Sequence, residues 1–490
     1  MKFYFLTALI AVCSTFVYAQ NAIVNLNLIG ATEKKVMVVL PIKNGEKFWG
    51  NKVEKTLDET DKLTLNFNVN KIGFVQIAND GNYFKFYIEP GISDITINLT
   101  KKAPEQVVVS GKNSEGLVLI NAKSRAFYQS NAMAYYRADS TVAGITAKMD
   151  SNHVKALKPY QALLSAQKIT PTFYQYVKND IDQYYTAMLA HIPTELYLDA
   201  IRAKTFRIKD EFAALWTKVY QEHPIENMNL ASTAEFYDYA QYYASTYKKY
   251  YEARLKGTYI EVKIANETAY LKESYTNFTQ QFNGKMKEYM LANFLYNEMF
   301  QNKYQLVLTE LYQQFIKTYP QSGYASYLFP MYDKIIKYHE VVKKDFTPEQ
   351  KLMTDYSHIN SLDELAALFK GKTVFVDIWA TWCGPCKAEF EYGEELDKFL
   401  KSKNAEMLYI SMDKPEVEQQ WKDMIKYYKL AGNHIRTNEL LQKDLINRLW
   451  EGKGYAIPRY LILKDGKLAV ADALRPSDKR KLYEQIANFL

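Results

Sequence analysis

Cys383 and Cys386 stand two residues apart in the run Thr373-Val-Phe-Val-Asp-Ile-Trp-Ala-Thr-Trp-Cys-Gly-Pro-Cys-Lys387. Two cysteines at i and i+3 on the first turn of a helix share one face. They are close enough for a disulfide to open and close with little backbone movement. Pro385 has its φ preset for an opening helical turn, which puts Cys383 at the helix N-terminus. Unpaired N–H groups and the macrodipole there favour negative charge, lower the thiol pKa and make Cys383 the attacking thiolate. Cys386, one turn further in, is expected to be the more buried sulfur and to resolve a mixed disulfide from inside.

Other chemistries fit this spacing less well. Zinc takes about four ligands, and one C-x-x-C supplies half of them. The sequence holds no second cysteine pair, and the nearest downstream histidine, His434, has no partner in sequence. A c-type haem needs histidine directly after the second cysteine, where Lys387 stands. A purely structural disulfide closing so short a loop contributes little stability.

The elements that must hold the pair are legible on both sides of it. Val374, Val376 and Ile378 place β-branched residues on alternate positions, with Phe375 and Trp379 on the other face, which predicts a central strand covered on both sides. Trp382-Cys-Gly-Pro-Cys386 turns the chain. A helix then carries Phe390, Leu396, Phe399 and Leu400. Further on, the pattern predicts a strand at Met407–Ser411, a helix at Val417–Leu430, and an insert-like connection at Ala431–Gly454 with a short helix near Leu440–Trp450. A strand pair follows at Tyr455–Leu463 and Leu468–Ala471 about the Lys464-Asp-Gly-Lys467 turn, then a closing helix at Ser477–Leu490. Upstream, Ser361 followed by Glu364 is a capping box for a helix reaching Lys370.

At these residues the chain resembles the thioredoxin superfamily. Trp382-Cys-Gly-Pro-Cys-Lys387 matches the thioredoxin active-site hexapeptide residue for residue, and the setting is similar to the TlpA/ResA-like thiol–disulfide oxidoreductases of the bacterial envelope. The resemblance covers roughly residues 355–490. It implies catalytic roles for Cys383, Cys386 and Asp377, the last lying six residues before Cys383, where thioredoxin carries a buried aspartate. A carboxylate in so apolar a strand should have a raised pKa and could take the Cys386 proton; the alternative is a solvated strand edge. The resemblance further implies a cis Ile457–Pro458 bond facing the disulfide, with Trp382, Gly384, Pro385, Ile457 and Pro458 meeting the substrate. Many envelope members lack an acid at the Asp377 position, so this chain mixes features of both groups. Glu389 matches a glutamate of the envelope group, but the proline usual two residues later is Glu391 here.

The first residues read as a secretory signal: Lys2, an apolar core Phe3–Val12 and small-residue cleavage after Val17-Tyr-Ala19. Cys13 follows Val12, where a lipoprotein signal wants a small residue. Cleavage would remove Cys13 and leave Cys383 and Cys386 as the only two of the three cysteines, so a secreted chain of this length would carry no stapling disulfides. Net charge is +7 with no concentrated basic stretch, which speaks against a nucleic-acid partner.

The 490 residues allow about three domains. After the signal at 1–19, residues 20–112 show short alternating runs between turn residues and predict a β-sandwich. Residues 113–354 read as an α-helical middle region. Its helices include one with Phe212, Leu215, Trp216, Val219 and Tyr220 on one face and another with Leu311, Tyr312, Phe315 and Ile316. Of the 41 tyrosines, the densest run is Phe236–Tyr251, read as half-buried helix faces, with a peptide or sugar groove as the alternative. His153, His191, His223, His339 and His358 share no metal-ligand spacing. Residues 355–490 form the α/β thioredoxin-like domain. The resulting expectation is a multidomain envelope or periplasmic thiol–disulfide oxidoreductase without cofactor or metal. Its partners would be protein disulfides or thiols and, by resemblance, a membrane thiol electron donor. A disulfide oxidase or isomerase, or a cell-surface binding or scaffold protein with an accessory redox domain, are the alternatives.

Overall fold

Alternating apolar residues in the N-terminal stretch build two four-stranded sheets. The structure, a computed structural model, describes residues 20–42, 45–69, 72–79, 81–122, 125–261, 263–301 and 304–490; the expected signal segment 1–19, with Cys13, lies outside them. The strands are β1 (Gln20–Ile29), β2 (Lys35–Val39), β3 (Lys52–Thr56), β4 (Lys62–Val69), β5 (Gly73–Asn79), β6 (Asn82–Ile88), β7 (Gly91–Asn98) and β8 (Val107–Gly111). They assemble in the orders β4-β1-β7-β8 and β3-β2-β5-β6. β1 runs antiparallel to β4 and parallel to β7. The sequence Lys-Val-Glu-Lys-Thr gave no alternation to read at β3, and it lies mostly exposed at a sheet edge. Val24, Leu26, Phe86 and Ile95 share one buried cluster with Leu117, Phe173 and Val177 of the helical region, so sheets and helices bury one another's apolar faces.

Long helices follow, among them Val142–Ser165, Pro171–Arg202 and Asp210–Glu222. Thr170 caps the second by accepting from the Phe173 amide at 3.1 Å, and Pro171 occupies its first turn. The tyrosine-rich run is helix Phe236–Tyr242 continued as a ten-residue π-helix, Tyr243–Glu252. Tyr243 stacks on Tyr247 at 5.9 Å, and Tyr247 and Tyr251 pack on Trp216 at 5.2 and 4.9 Å. This stripe is packing surface between helices.

The chain divides into two compact units. One runs through Tyr296 and takes Gln313–Leu328; the other is Asn297–Tyr312 with Phe329–Leu490. The second unit is built on a six-stranded sheet ordered β14-β13-β10-β11-β12-β9. Its strands are β9 (Gln350–Leu352), β10 (Thr373–Trp379), β11 (Glu406–Ser411), β12 (Gly432–Arg436), β13 (Arg459–Lys464) and β14 (Lys467–Val470). β10, β11, β12 and β9 run parallel, and β13 and β14 close the other side antiparallel. All seven residues of β10 are buried, as its doubly apolar pattern requires. Asp465 and Gly466 both have positive φ, 48° and 74°, giving the expected two-residue hairpin between β13 and β14.

Two local readings change. The connection after Leu430 is not an insert: β12 lies within it, paired with β11 and β9. Gly432 opens that strand at φ +143°, where a Cβ would stand 2.8 Å from the Met407 carbonyl. Ser361 does cap helix Leu362–Ala367, accepting from the Glu364 amide at 3.2 Å. The Glu364 carboxylate, however, returns to the amide of Asn360, not that of Ser361.

On the same unit, Tyr304 stacks on Tyr338 at 4.3 Å and hydrogen-bonds the Tyr428 hydroxyl at 2.7 Å. The Gln350 side chain donates to the Ile425 carbonyl at 2.7 Å. Among the described residues, no helix is long and apolar enough to cross a membrane.

Candidate active site

The site forms at the carboxyl end of β10, where open parallel sheets place ligands. After Trp379 the chain turns through Ala380–Trp382 and enters the short motif helix Gly384–Glu389 with Pro385 in its first turn. Cys383 is the N-cap, and its sulfur accepts from the Cys386 amide at 3.1 Å. The two sulfurs are joined as a disulfide, with Cα atoms 5.3 Å apart. Cys383 is 3% exposed and Cys386 fully buried. Gly384 and Pro385 lie exposed beside them, and Trp382 is 60% exposed at the rim.

Trp379 lies beneath, edge-on to Phe390 at 5.2 Å. Lys387 is buried, not solvated as a lysine on a helix surface would be. Ile457–Pro458 is cis and immediately precedes β13. The β10–β13 register ends at Ile378 opposite Arg459, so this bond lies at the motif end of the sheet.

Asp377 is 1% exposed, and its Oδ1 has no hydrogen-bond partner among the described residues. Burial raises its pKa well above the usual carboxylate value, and the charge of Glu389 adds to the rise. The alternative of a solvated edge is therefore excluded by its position in the central strand. In register, Asp377 sits between Tyr460 of β13 and Tyr409 of β11, and Tyr409 faces His434 of β12. Tyr460 stacks on Phe375 at 5.6 Å, and Tyr409 stacks on His434 at 4.9 Å. Burial lowers the His434 pKa to about 4, and its Nε2 meets the Leu430 carbonyl at 3.0 Å. It is a neutral packing residue. Among the described residues no group of three metal-ligating side chains occurs. Glu389 is half-buried and accepts from the Ser477 amide and hydroxyl at 2.9 and 3.0 Å, tying the motif helix to the C-terminal segment.

Two features escaped the sequence reading. Asp413, two residues beyond β11, is buried and holds the loop that leads into the motif. It accepts from the Thr381 amide, the Thr381 hydroxyl and the Ser411 hydroxyl, each at 2.8 Å. The available signal was a Ser-x-Asp pair just past a parallel strand beside the site. Asp413→Ala should speed hydrogen exchange at the Thr381 amide by about fivefold or more, since an unsatisfied buried donor costs about 1–3 kcal/mol. Unchanged exchange, read by mass spectrometry of the oxidised protein, would mean that the loop is held by other contacts. The second feature is an aromatic chain beside the disulfide. Trp382 lies 6.3 Å from Tyr455, and Tyr455 lies 6.1 Å from Trp450. Trp382 is distant in sequence from Trp450 and Tyr455, so no short window signals such a patch.

Residues 343–485 match the Redoxin family. The ResA thiol-disulfide oxidoreductase of Bacillus thuringiensis subsp. konkukian is 42% identical over 62 residues, 13% of this chain and 35% of that protein. That of Bacillus subtilis strain 168 is 40% identical over 48 residues, 10% of this chain and 27% of its own length. The chain thus spans about a third of the length of the curated relatives it matches. Among solved structures, the thioredoxin domain of a thiol-disulfide oxidoreductase from Bacteroides vulgatus is 30% identical. The match covers 25% of this chain and 81% of that one with a TM-score of 0.21. The C-terminal part of the chain is therefore similar to the ResA group and carries a Redoxin domain.

Proposed function

We propose that this chain is a thiol–disulfide oxidoreductase that reduces disulfides of partner proteins through the Cys383–Cys386 dithiol. The observation that carries this reading is the buried pair at a helix start, with a buried, unpartnered carboxyl on the strand that leads into it. In the reduced form Cys383 is the thiolate, supported by the Cys386 amide that points at its sulfur. It attacks a substrate disulfide. A Cys383–substrate S–S bond forms, the substrate S–S bond breaks, and one substrate sulfur leaves as thiolate. Asp377 takes the Cys386 proton. The Cys386 thiolate then attacks the Cys383 sulfur, the second substrate thiolate leaves, and the protein disulfide closes. Two electrons have passed from the dithiol to the substrate, and a thiol donor must return them.

Trp382, Gly384 and Pro385 form the exposed face beside the sulfurs, and Ile457-Pro458 offers backbone at the same end of the sheet. We assign substrate contact to these five. An envelope location with a membrane thiol donor, suggested by the likeness to the ResA group, and delivery by the segment 1–19, suggested by its signal-like sequence, belong to the same proposal.

A glutathione redox titration of the purified protein, read by thiol alkylation, tests the direction. A potential near about −270 mV fits a reductase fed by a reducing partner, whereas one near about −120 mV fits an oxidant and reverses the proposal. A pair that never closes in the titration removes exchange altogether.

A further inference from the structure

The first unit carries a cavity of about 620 Å³ that opens to solvent, a size usual for small-molecule sites. Nothing in thiol exchange uses it. Four separate stretches of chain bring five charged side chains to it. Lys47, Lys85 and Arg125 are basic, Glu235 and Asp238 are acidic, and Asp180 backs Lys85 and Arg125 as their ion-pair partner without lining the cavity. Asp180, itself buried, accepts from the Lys85 ammonium at 3.1 and 3.2 Å and from the Arg125 guanidinium. Lys47 is 8% exposed; its ammonium donates to the Ala234 carbonyl at 3.0 Å and lies 4.3 Å from the centre of the Trp49 ring. Glu235 Oε2 is buried and has no hydrogen-bond partner among the described residues. Burial raises the carboxyl pKa values of Glu235 and Asp238 and lowers that of Lys47 to about 8.

Desolvating that many charges is costly unless each is paired. The Asp180 set is paired within the protein. The Oε2 of Glu235 is not, so the cavity presents a buried carboxyl oxygen that lacks a donor among the described residues. Counted together with Asp180 behind them, the charges of the lining cancel, three against three, and they interleave: Asp180 pairs with both Lys85 and Arg125, and the opposite charge acting most on Lys47 is Glu235. A ligand with net charge would unbalance this floor. A zwitterion would need separate cationic and anionic poles, which the interleaving does not provide. Vicinal hydroxyls do match it, because each donates one hydrogen bond and accepts two. At the mouth stand rings that folding leaves in water. Phe127 is 83% and Tyr83 71% exposed. Flat apolar rings around a polar floor suit a ligand with an apolar C–H face and a hydroxylated edge.

We propose that this cavity is a binding site for a short neutral oligosaccharide, whose hydroxyls meet Glu235, Lys47 and Asp238 while a sugar face lies on Phe127. The cavity is lined by residues of the first unit alone and uses none of the exchange residues, so the chain would bind a glycan whether or not its dithiol is active.

The test is an array of neutral and acidic oligosaccharides probed with the full chain, followed by calorimetric titration of the hits. Glycyl-glycine and inorganic phosphate serve as comparison ligands. A neutral oligosaccharide should bind, and both Glu235→Gln and Phe127→Ala should weaken it by about tenfold or more. Cys383→Ser should leave binding unchanged. Phe127→Ala removes an exposed ring, so its melting temperature should match the unaltered chain and folding cannot explain a loss. The proposal is overturned if no neutral glycan is retained, if phosphate, the dipeptide or acidic glycans bind better, or if Phe127→Ala binds as before.

Discussion

Cys386→Ser should leave the chain covalently fixed to its substrate. With the resolving thiol gone, Cys383 still attacks, but nothing held beside it can break the mixed disulfide. An intramolecular thiol in this position acts at effective concentrations that reach about 10⁵ M in well-oriented systems, which no external thiol approaches. Turnover in a coupled assay of protein-disulfide reduction should therefore fall to the uncatalysed background. A substrate adduct should appear on a non-reducing gel and vanish on reduction. Cys383→Ser should lose turnover equally and form no adduct, because Cys386 is fully buried and cannot meet a substrate first. An adduct in Cys383→Ser and none in Cys386→Ser would exchange the two roles. Normal turnover in either variant would move the chemistry away from this pair.

Asp377→Asn should slow exchange and stabilise the fold at the same time. Losing a positioned acid–base group costs about 10²-fold or more in the step it serves, here the attack of Cys386 on the mixed disulfide. Stability moves the other way for an electrostatic reason. The folded carboxyl binds its proton more tightly than the unfolded one, whose pKa is about 3.8. Between those two pKa values the folded state carries more protons, so native stability falls as pH rises and stays low above the folded value. Asparagine keeps the shape and removes the charge. Its advantage should be absent below about pH 4, grow as pH rises, and level off above the folded pKa, at about 1.4 kcal/mol for each unit by which burial has raised that pKa. Scanning calorimetry of both proteins across pH reads this directly. A melting difference that does not widen with pH would mean that the Asp377 charge is compensated. A normal resolving rate in stopped flow would give the proton another destination.

Both predictions rest on residues that the sequence made legible, and the reason is local. β10 announces itself because every one of its side chains is covered and nearly every one is apolar. The motif helix starts where Gly384 and Pro385 dictate, and the Asp465-Gly466 turn needs only two residues to be recognised. What stayed hidden depends on partners distant in sequence. Gly432-Asn-His-Ile-Arg436 has no strand pattern of its own; it becomes β12 because β11 and β9 supply hydrogen bonds on both sides. Asp413 matters only once β11 ends beside Thr381. Lys387 has the sequence context of a surface lysine, yet tertiary packing buries it. The cavity of the first unit is built from residues between Lys47 and Asn293, and no short window of sequence contains its logic.

Three residues, Gln350–Leu352, also decide how the redox domain can be handled apart from the rest of the chain. β9 is the outermost strand of its sheet and covers the flank of β12. A fragment starting after Leu352 would bare a row of unpaired backbone N–H and C=O groups along β12, a template for pairing with another copy. It would also lack the Gln350 side chain that donates to Ile425. Such a fragment would keep the Cys383–Cys386 pair and Asp377 and still be prone to aggregate through its edge. The short polar strand thus works as a guard against self-association, a role that neither its length nor its composition advertises.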